Sequence, residues 1–178
     1  MKVTVLGAGS WGTTVASLVA GTNETTLWGR DLEQMAEVRE QHTNSKYLDG
    51  FTLPERLDGT ADLEAAVSGA HVLVVGVPSH AFRSTLEAAT PFVHPWIPIV
   101  SLTKGLEADS MMRMTEVIKD VLPGHPAAAL SGPNLAKEIM AGQAAASAIA
   151  ICAGWSRGWG SRSLPAAQLC TCTVAGRM

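Results

Sequence analysis

Short apolar runs alternate with amphipathic stretches along most of this chain. Residues 2–6 (Lys-Val-Thr-Val-Leu) form the first apolar run, and the glycines from Gly7 to Gly12 follow at once. Ser10 to about Ala20 is small and apolar, the pattern of a helix packed tightly on a sheet. Residues 25–28 predict a second strand and Leu32–Gln41, rich in Glu, Met and Ala, a second helix. Residues 42–61 are polar and broken by Gly and Pro, and read as a long loop. Asp62 has the chemistry of an N-cap for a short helix, Leu63–Val67, closed by Gly69. Residues 72–77 are continuously apolar up to Pro78, which suits a central strand covered on both faces. Ser79 then caps a helix to about Ala89. A strand follows over 97–102 and an amphipathic helix over Ser110–Val121, with Met111, Met114, Val117, Ile118 and Val121 on one side. A short strand over 127–130, a turn at Ser131–Asn134, a helix over Leu135–Ala141 and a strand over 144–151 complete the pattern.

Strands that alternate with helices in this way pair in parallel, because a parallel pair needs a long crossover. The expected fold class is α/β, a doubly wound parallel sheet, built as one domain over residues 1–151. The pattern fails after that point. All 16 acidic residues and all the lysines lie at or before Glu138, and in the tail over residues 152–178 the run from Gly154 to Ser163 has no hydrophobic period. This stretch reads either as a flexible tail or as sequence foreign to the domain, and no element is assigned to it. Its three cysteines, Cys152, Cys170 and Cys172, have the spacing of neither a zinc site nor a disulfide framework. No metal is expected.

Composition narrows the function. The 178 residues are 47% hydrophobic and 16% charged, with a formal net charge of -3 and no basic cluster. Nucleic acid and anionic membrane surfaces are therefore poor partners. No apolar stretch reaches the roughly 18–20 residues of a membrane helix, and the N-terminus reads as a strand rather than a signal, so the expectation is a cytoplasmic protein.

Gly7-Ala8-Gly9-Ser10-Trp11-Gly12 fits G-x-G-x-x-G between a first strand and a first helix, the context in which that pattern binds a dinucleotide. Gly7 permits the tight turn, Gly9 lets a pyrophosphate approach the backbone, and Gly12 lets the helix sit close to the sheet. The free N–H groups of the helix start favour phosphate. At the end of the second strand stand Arg30 and Asp31. An acid there bonds the ribose 2′-hydroxyl of NAD, and an Arg accepts the 2′-phosphate of NADP. Arg30 favours acceptance of NADP without excluding NAD; otherwise it is a solvated surface charge.

Three further pieces stand in order: Val77-Pro78-Ser79, Ser101-Leu-Thr-Lys-Gly-Leu-Glu107, and Leu130-Ser-Gly-Pro-Asn-Leu-Ala-Lys-Glu138. With Gly7–Thr13 (Gly-Ala-Gly-Ser-Trp-Gly-Thr), this set resembles the bacterial type of NAD(P)-dependent glycerol-3-phosphate dehydrogenase over residues 1–150. The resemblance implies a Rossmann-type NAD(P)-binding domain. It implies that Ser10, Trp11 and Arg30 contact the cofactor, that Lys104 reaches both cofactor and substrate, that Gly132 and Asn134 contact substrate, and that Ala136 approaches the cofactor. Lys104 follows a strand at the sheet's carboxyl edge, where an ammonium can meet a phosphate or polarise a carbonyl. Asn134 reads equally well as a simple N-cap.

The reaction implied is reduction of dihydroxyacetone phosphate to sn-glycerol 3-phosphate by NADH or NADPH, feeding glycerophospholipid synthesis. Such chemistry needs a proton donor and acceptor beside the carbon. In the family this is a Lys of a Gly-Ala-x-Lys-Asn motif on a helical C-terminal domain. No Lys follows Lys137 here, so no catalytic residue is assigned and that domain is expected to be absent. Two alternatives stand beside a working dehydrogenase. One is a dinucleotide-binding module without turnover. The other is a related enzyme, 6-phosphogluconate-like or ketopantoate-reducing, which the Ser101–Glu107 segment argues against. Oligomeric state is not readable.

Overall fold

The computed structural model describes residues 1–152 and the backbone of 167–174. The elements run β1 (Lys2–Leu6), α1 (Ser10–Ala20), β2 (Glu24–Trp28), α2 (Leu32–Gln41), α3 (Ser45–Leu48), β3 (Leu57–Thr60), α4 (Leu63–Val67) and β4 (Val72–Val75). They continue with α5 (Ser79–Ala89), β5 (Ile99–Ser101), α6 (Met114–Val121), β6 (Ala127–Ser131), α7 (Ala136–Met140), β7 (Ala145–Cys152) and β8 (Ala167–Val174). One sheet holds all eight strands in the order β3-β2-β1-β4-β5-β6-β7-β8. The pairs from β3 to β6 are parallel; β7 runs antiparallel to β6, and β8 to β7.

The strand order reverses between β1 and β4, and a doubly wound sheet opens a crevice at the carboxyl ends of the strands there. Each face of the sheet has its own core. Leu6, Leu73 and Val75 pack with Phe82, Leu86, Val117 and Ile118 on one side. Val3, Val5, Leu27 and Val74 pack with Ala16, Ala20, Met35 and Val38 on the other. The alternation of Leu73, Val74 and Val75 between the two cores explains why that run is apolar at every position. Close packing of helix on sheet uses glycine: a Cβ on Gly59 would lie 2.7 Å from the Met35 carbonyl oxygen.

Several expectations need correction. The stretch 42–61 is not a plain loop, since it contains α3 and β3. Its polarity hid a short strand at the sheet's edge and a helix of one turn, too brief to show a period. The strand expected over 72–77 stops at Val75, because Gly76 and Val77 turn into the crevice. Ser79 is the first residue of α5 rather than its cap; Pro78 holds that place. The helix expected from Ser110 begins at Met114, and Met111 is exposed at positive φ. Glu116 accepts from the Arg113 N–H at 2.8 Å, and this capping box fixes the start there. The sheet is parallel only through β6. After residue 152 the structure adds β8, whose run Thr171-Cys-Thr-Val174 has the β-branched content that suits pairing along β7. The side chains of the three cysteines and residues 153–166 and 175–178 lie outside the described part.

Candidate functional site

The loops after β1 and β4 meet at the switch point. Gly76 donates its N–H to the Leu6 carbonyl at 2.7 Å, and Gly7 donates to the Trp28 carbonyl at 2.9 Å. Gly7 has φ +113, and a Cβ on it would fall 2.8 Å from the Gly76 carbonyl carbon. A Cβ on Gly12 would lie only 1.9 Å from the Gly7 oxygen. Both positions therefore require glycine, one for conformation and one for space. Gly9 is different. A Cβ there would meet nothing within 4 Å. Its bare backbone borders open space at the start of α1, where first-turn N–H groups have no partner within the helix. That arrangement fits a bound pyrophosphate.

A cleft of about 750 Å³ lies over this loop. Gly7 to Gly12, Arg30, Gly76 to Ser79, Leu102 to Lys104 and Asn134 all border it. Of the residues singled out in the sequence, Gly7, Gly9, Ser10, Trp11, Gly12, Arg30, Lys104 and Asn134 thus come together. Gly132 and Ala136 do not line the cleft. Gly132 sits just behind it, where its carbonyl accepts from Lys104 Nζ at 3.2 Å. A Cβ on Gly132 would lie 2.5 Å from the Ala146 oxygen, so β7 enforces the glycine. Ala136 is the first residue of α7.

At the far end of β2, Asp31 has a structural task. It N-caps α2 by accepting from the Gln34 N–H at 3.2 Å, and it pairs with Lys46 at 3.1 Å. The Lys46 ammonium, and then the Gln34 N–H, hold the Asp31 carboxyl below its ordinary range, while Asp31 raises Lys46. Arg30 beside it is exposed at the cleft's border.

Across the crevice, the segment after β5 is tied down on both sides of Lys104. Thr103 donates its hydroxyl to the Val77 carbonyl at 2.6 Å. Glu107 accepts two hydrogen bonds from Arg83, at 2.8 and 3.0 Å, and one from the Ser110 hydroxyl. Arg83 also reaches Asp120 of α6 at 2.5 Å. The Arg83 guanidinium, helped by Ser110, pushes the Glu107 carboxyl down to about 2. Asn134 is not an N-cap, since Leu135 holds that place. Its Oδ1 accepts from the Ser147 hydroxyl of β7 at 2.9 Å. That bond fixes the amide, and Nδ2 is a buried donor without a partner among the described residues. An orphaned donor at the border of a cleft fits a ligand oxygen.

The sequence reading missed Gln34, Lys46 and Tyr47, all of which border the cleft. Gln34 gave a signal: it is polar yet adjoins the buried stripe of α2, next to Met35 and one turn from Val38. Lys46 and Tyr47 gave none, because their place depends on how the excursion after α2 folds back.

The sequence profile described as NAD-dependent glycerol-3-phosphate dehydrogenase N-terminus matches residues 2–153. An NAD(P)+ glycerol-3-phosphate dehydrogenase of Sphingopyxis alaskensis is 56% identical over 151 residues, covering 85% of this chain and 45% of that protein. One of Mycobacterium avium is 48% identical over 151 residues, covering 84% of this chain and 44% of its own. The crystal structure of glycerol-3-phosphate dehydrogenase from Coxiella burnetii superposes with a TM-score of 0.75 at 33% identity, covering 79% of this chain and 43% of that one. The chain spans about half the length of the curated relatives it matches.

Proposed function

The chain belongs to the family of NAD-dependent glycerol-3-phosphate dehydrogenases, whose N-terminal part it matches, and from that premise we propose that its cleft binds NADH or NADPH beside dihydroxyacetone phosphate. The reading assigns residues 1–151 to the dinucleotide-binding domain and sets 152–178 apart as an addition to it, one whose β8 pairs along β7 at the edge of the same sheet. One observation carries it: a single cleft is bordered at once by the open glycine loop, by Arg30, by Lys104 and by Asn134.

In this reading the pyrophosphate lies on the backbone of Gly9, Ser10 and Trp11, and Arg30 faces the adenosine ribose. Asp31 is committed to α2 and Lys46, so it repels a 2′-phosphate less than a free carboxylate would. NADP is then accepted along with NAD. The bound nicotinamide supplies the hydride. Lys104 offers its ammonium to a phosphate or carbonyl oxygen of the substrate, with Gly132 holding its position from behind. Asn134 Nδ2 donates to a substrate oxygen, its amide oriented by Ser147. Ala136 opens α7 toward the cofactor side. The product is sn-glycerol 3-phosphate, a precursor for glycerophospholipids made in the cytoplasm.

A second reading rests on a specific observation. No Gly-Ala-x-Lys-Asn segment occurs in these 178 residues, so none of them is assigned as proton donor or acceptor. The chain then holds a dinucleotide without turning over. Titration of the chain with NADH and NADPH, alongside a reductase assay on dihydroxyacetone phosphate, separates the two. Binding with turnover supports the first reading, binding without turnover the second, and no binding overturns both. Lys104→Met should weaken glycerol 3-phosphate binding to the NADH-loaded chain by about ten- to a hundredfold, the size of a lost charge-assisted hydrogen bond. The melting temperature should hold, because Lys104 is exposed.

A further inference from the structure

Beneath the glycine loop lies a set of hydrogen-bonded polar side chains, of which only Gln34 also reaches the border of the cleft. The carbonyl oxygen of Ala8 accepts from two side-chain amides, Gln34 Nε2 at 2.7 Å and Asn44 Nδ2 at 3.2 Å. The amides are themselves joined, Gln34 Nε2 donating to Asn44 Oδ1 at 3.1 Å. Asn44 Nδ2 also donates to the Thr13 hydroxyl at 2.8 Å. Asn44 and Thr13 are fully buried and Gln34 nearly so. Two neutral amides from separate segments therefore converge on one peptide bond of the loop, and a hydroxyl from a third segment orients one of them.

Burying such a group costs free energy unless its hydrogen bonds are met, so the sequence has placed all of them together. The chain also goes out of its way to deliver Asn44. The excursion after α2 is pinned by Glu37, which accepts from the Thr43 hydroxyl at 2.9 Å and from the Ser45 N–H and hydroxyl at 2.7 and 3.0 Å. Leu48 is buried below it, and the Leu53 N–H closes the excursion on the His42 carbonyl at 2.7 Å.

Peptide geometry gives this arrangement its consequence. The Ala8–Gly9 peptide is trans, so the Ala8 carbonyl and the Gly9 N–H point in opposite directions. Two donors hold the carbonyl inward, which turns the Gly9 N–H outward, away from them and toward the cleft that Gly9 borders. Loops of this kind bind anions through such N–H groups, and a peptide free to flip would present its carbonyl instead, a repulsive group for phosphate. We propose that Gln34 and Asn44, with Thr13 orienting Asn44, are positioning residues that lock the Ala8–Gly9 peptide with its N–H toward the cofactor's pyrophosphate. This inference rests on the dinucleotide reading above, and it assigns a task to the excursion over residues 42–53.

The test uses the 178-residue chain and three probes, ADP, NADH and NADPH, followed by quenching of tryptophan fluorescence, since Trp11 and Trp28 border the cleft. Gln34→Met removes one donor from Ala8 and leaves Asn44 in place. It should weaken all three probes by the same factor, about five- to tenfold, as the loss of the Gln34 bonds to Ala8 and Asn44 from a buried network. The factor is common because the pyrophosphate is common. Val117→Ala, in the core on the other face of the sheet, serves as the control for destabilisation alone. It should lower the melting temperature and leave ADP affinity unchanged. A folded Gln34→Met chain that binds ADP as tightly as the parent overturns the proposal. So does one that matches Val117→Ala in every readout. Failure of the dinucleotide reading shows elsewhere, as absence of ADP and NADH binding in the unaltered chain. Should Gln34→Met not fold, the unaltered chain decides by NMR. The Gly9 amide proton should move downfield when ADP is added, and an amide that stays put overturns the inference.

Discussion

The two walls of the cleft are built on opposite principles. On the glycine-loop side, every polar side chain beneath the loop finds a partner inside the protein, and the partners are neutral amides and a hydroxyl. On the Lys104 side, the segment is held at its outer end by the charged pair Arg83–Glu107, and its functional groups are left available. Lys104 is exposed, and Asn134 Nδ2 is buried without a partner among the described residues. The side chains of the first wall are satisfied before any ligand arrives, and only its backbone N–H groups stay open. The second keeps hydrogen-bonding capacity in reserve. A wall that is finished can recognise a constant feature of a cofactor, such as its pyrophosphate, at little cost of ordering. A wall with unmet donors gains most when a ligand oxygen reaches them.

Three measurements would break or sharpen this contrast. The largest effect belongs to Gly12→Ala. Its Cβ would sit 1.9 Å from the Gly7 carbonyl oxygen, a backbone atom that has no room to retreat. Overpacking of this severity costs about 3 kcal/mol or more. The chain should melt roughly 6–12 °C lower and lose measurable NADH binding. If Gly12→Ala keeps both, the glycine wall is softer than described.

The second effect is on pH. Glu107 is held down to about 2, first by Arg83 and then by Ser110. A carboxylate depressed in the folded state contributes stability that is complete above its ordinary value of 4.5 and is lost as the pH falls toward about 2. The melting temperature should therefore drop between pH 5 and pH 2.5, and Glu107→Gln should show a smaller drop. Glu116 is depressed to about 2 by Arg113 and titrates in the same window, but it is present in both proteins and cancels. The amides under the glycine loop do not titrate at all, and the carboxylates nearest them, Asp31 and Glu37, are unchanged by Glu107→Gln, so the difference in melting between the two proteins belongs to the Lys104 wall. Equal pH sensitivity of the two proteins would erase the distinction between the walls.

The smallest effect is that of Ser147→Ala. It removes the single hydroxyl that fixes the Asn134 amide and leaves Asn134 itself in place. Glycerol 3-phosphate binding to the NADH-loaded chain should weaken by about two- to fivefold, the loss of one neutral hydrogen bond of about 0.5–1 kcal/mol. NADH binding alone should not change. An effect on NADH of the same size would mean that Asn134 serves the cofactor wall instead.

The sequence alone determined the order of strands and helices apart from α3, β3 and β8, because apolar runs of four or five residues and the Asp62 cap are local signals. It determined the glycine loop, since the positive φ of Gly7 and the approach of Gly12 to the Gly7 oxygen both lie within six residues. It also determined which motifs belong together, Lys104 and Asn134 included. Only the tertiary structure decided what depends on contacts between distant segments. Asn44 looks like any polar residue of a loop until α3 folds back and puts it under Ala8, 36 residues earlier. Asn134 reads as a cap until β7 turns antiparallel to β6 and brings Ser147 to its side chain. Asp31 reads as a selector of ribose until Lys46 reaches it from the excursion. In each case the side chain's role is set by a hydrogen-bond partner from another segment, and hydrophobic periodicity records which face of an element is buried, not which polar group waits there.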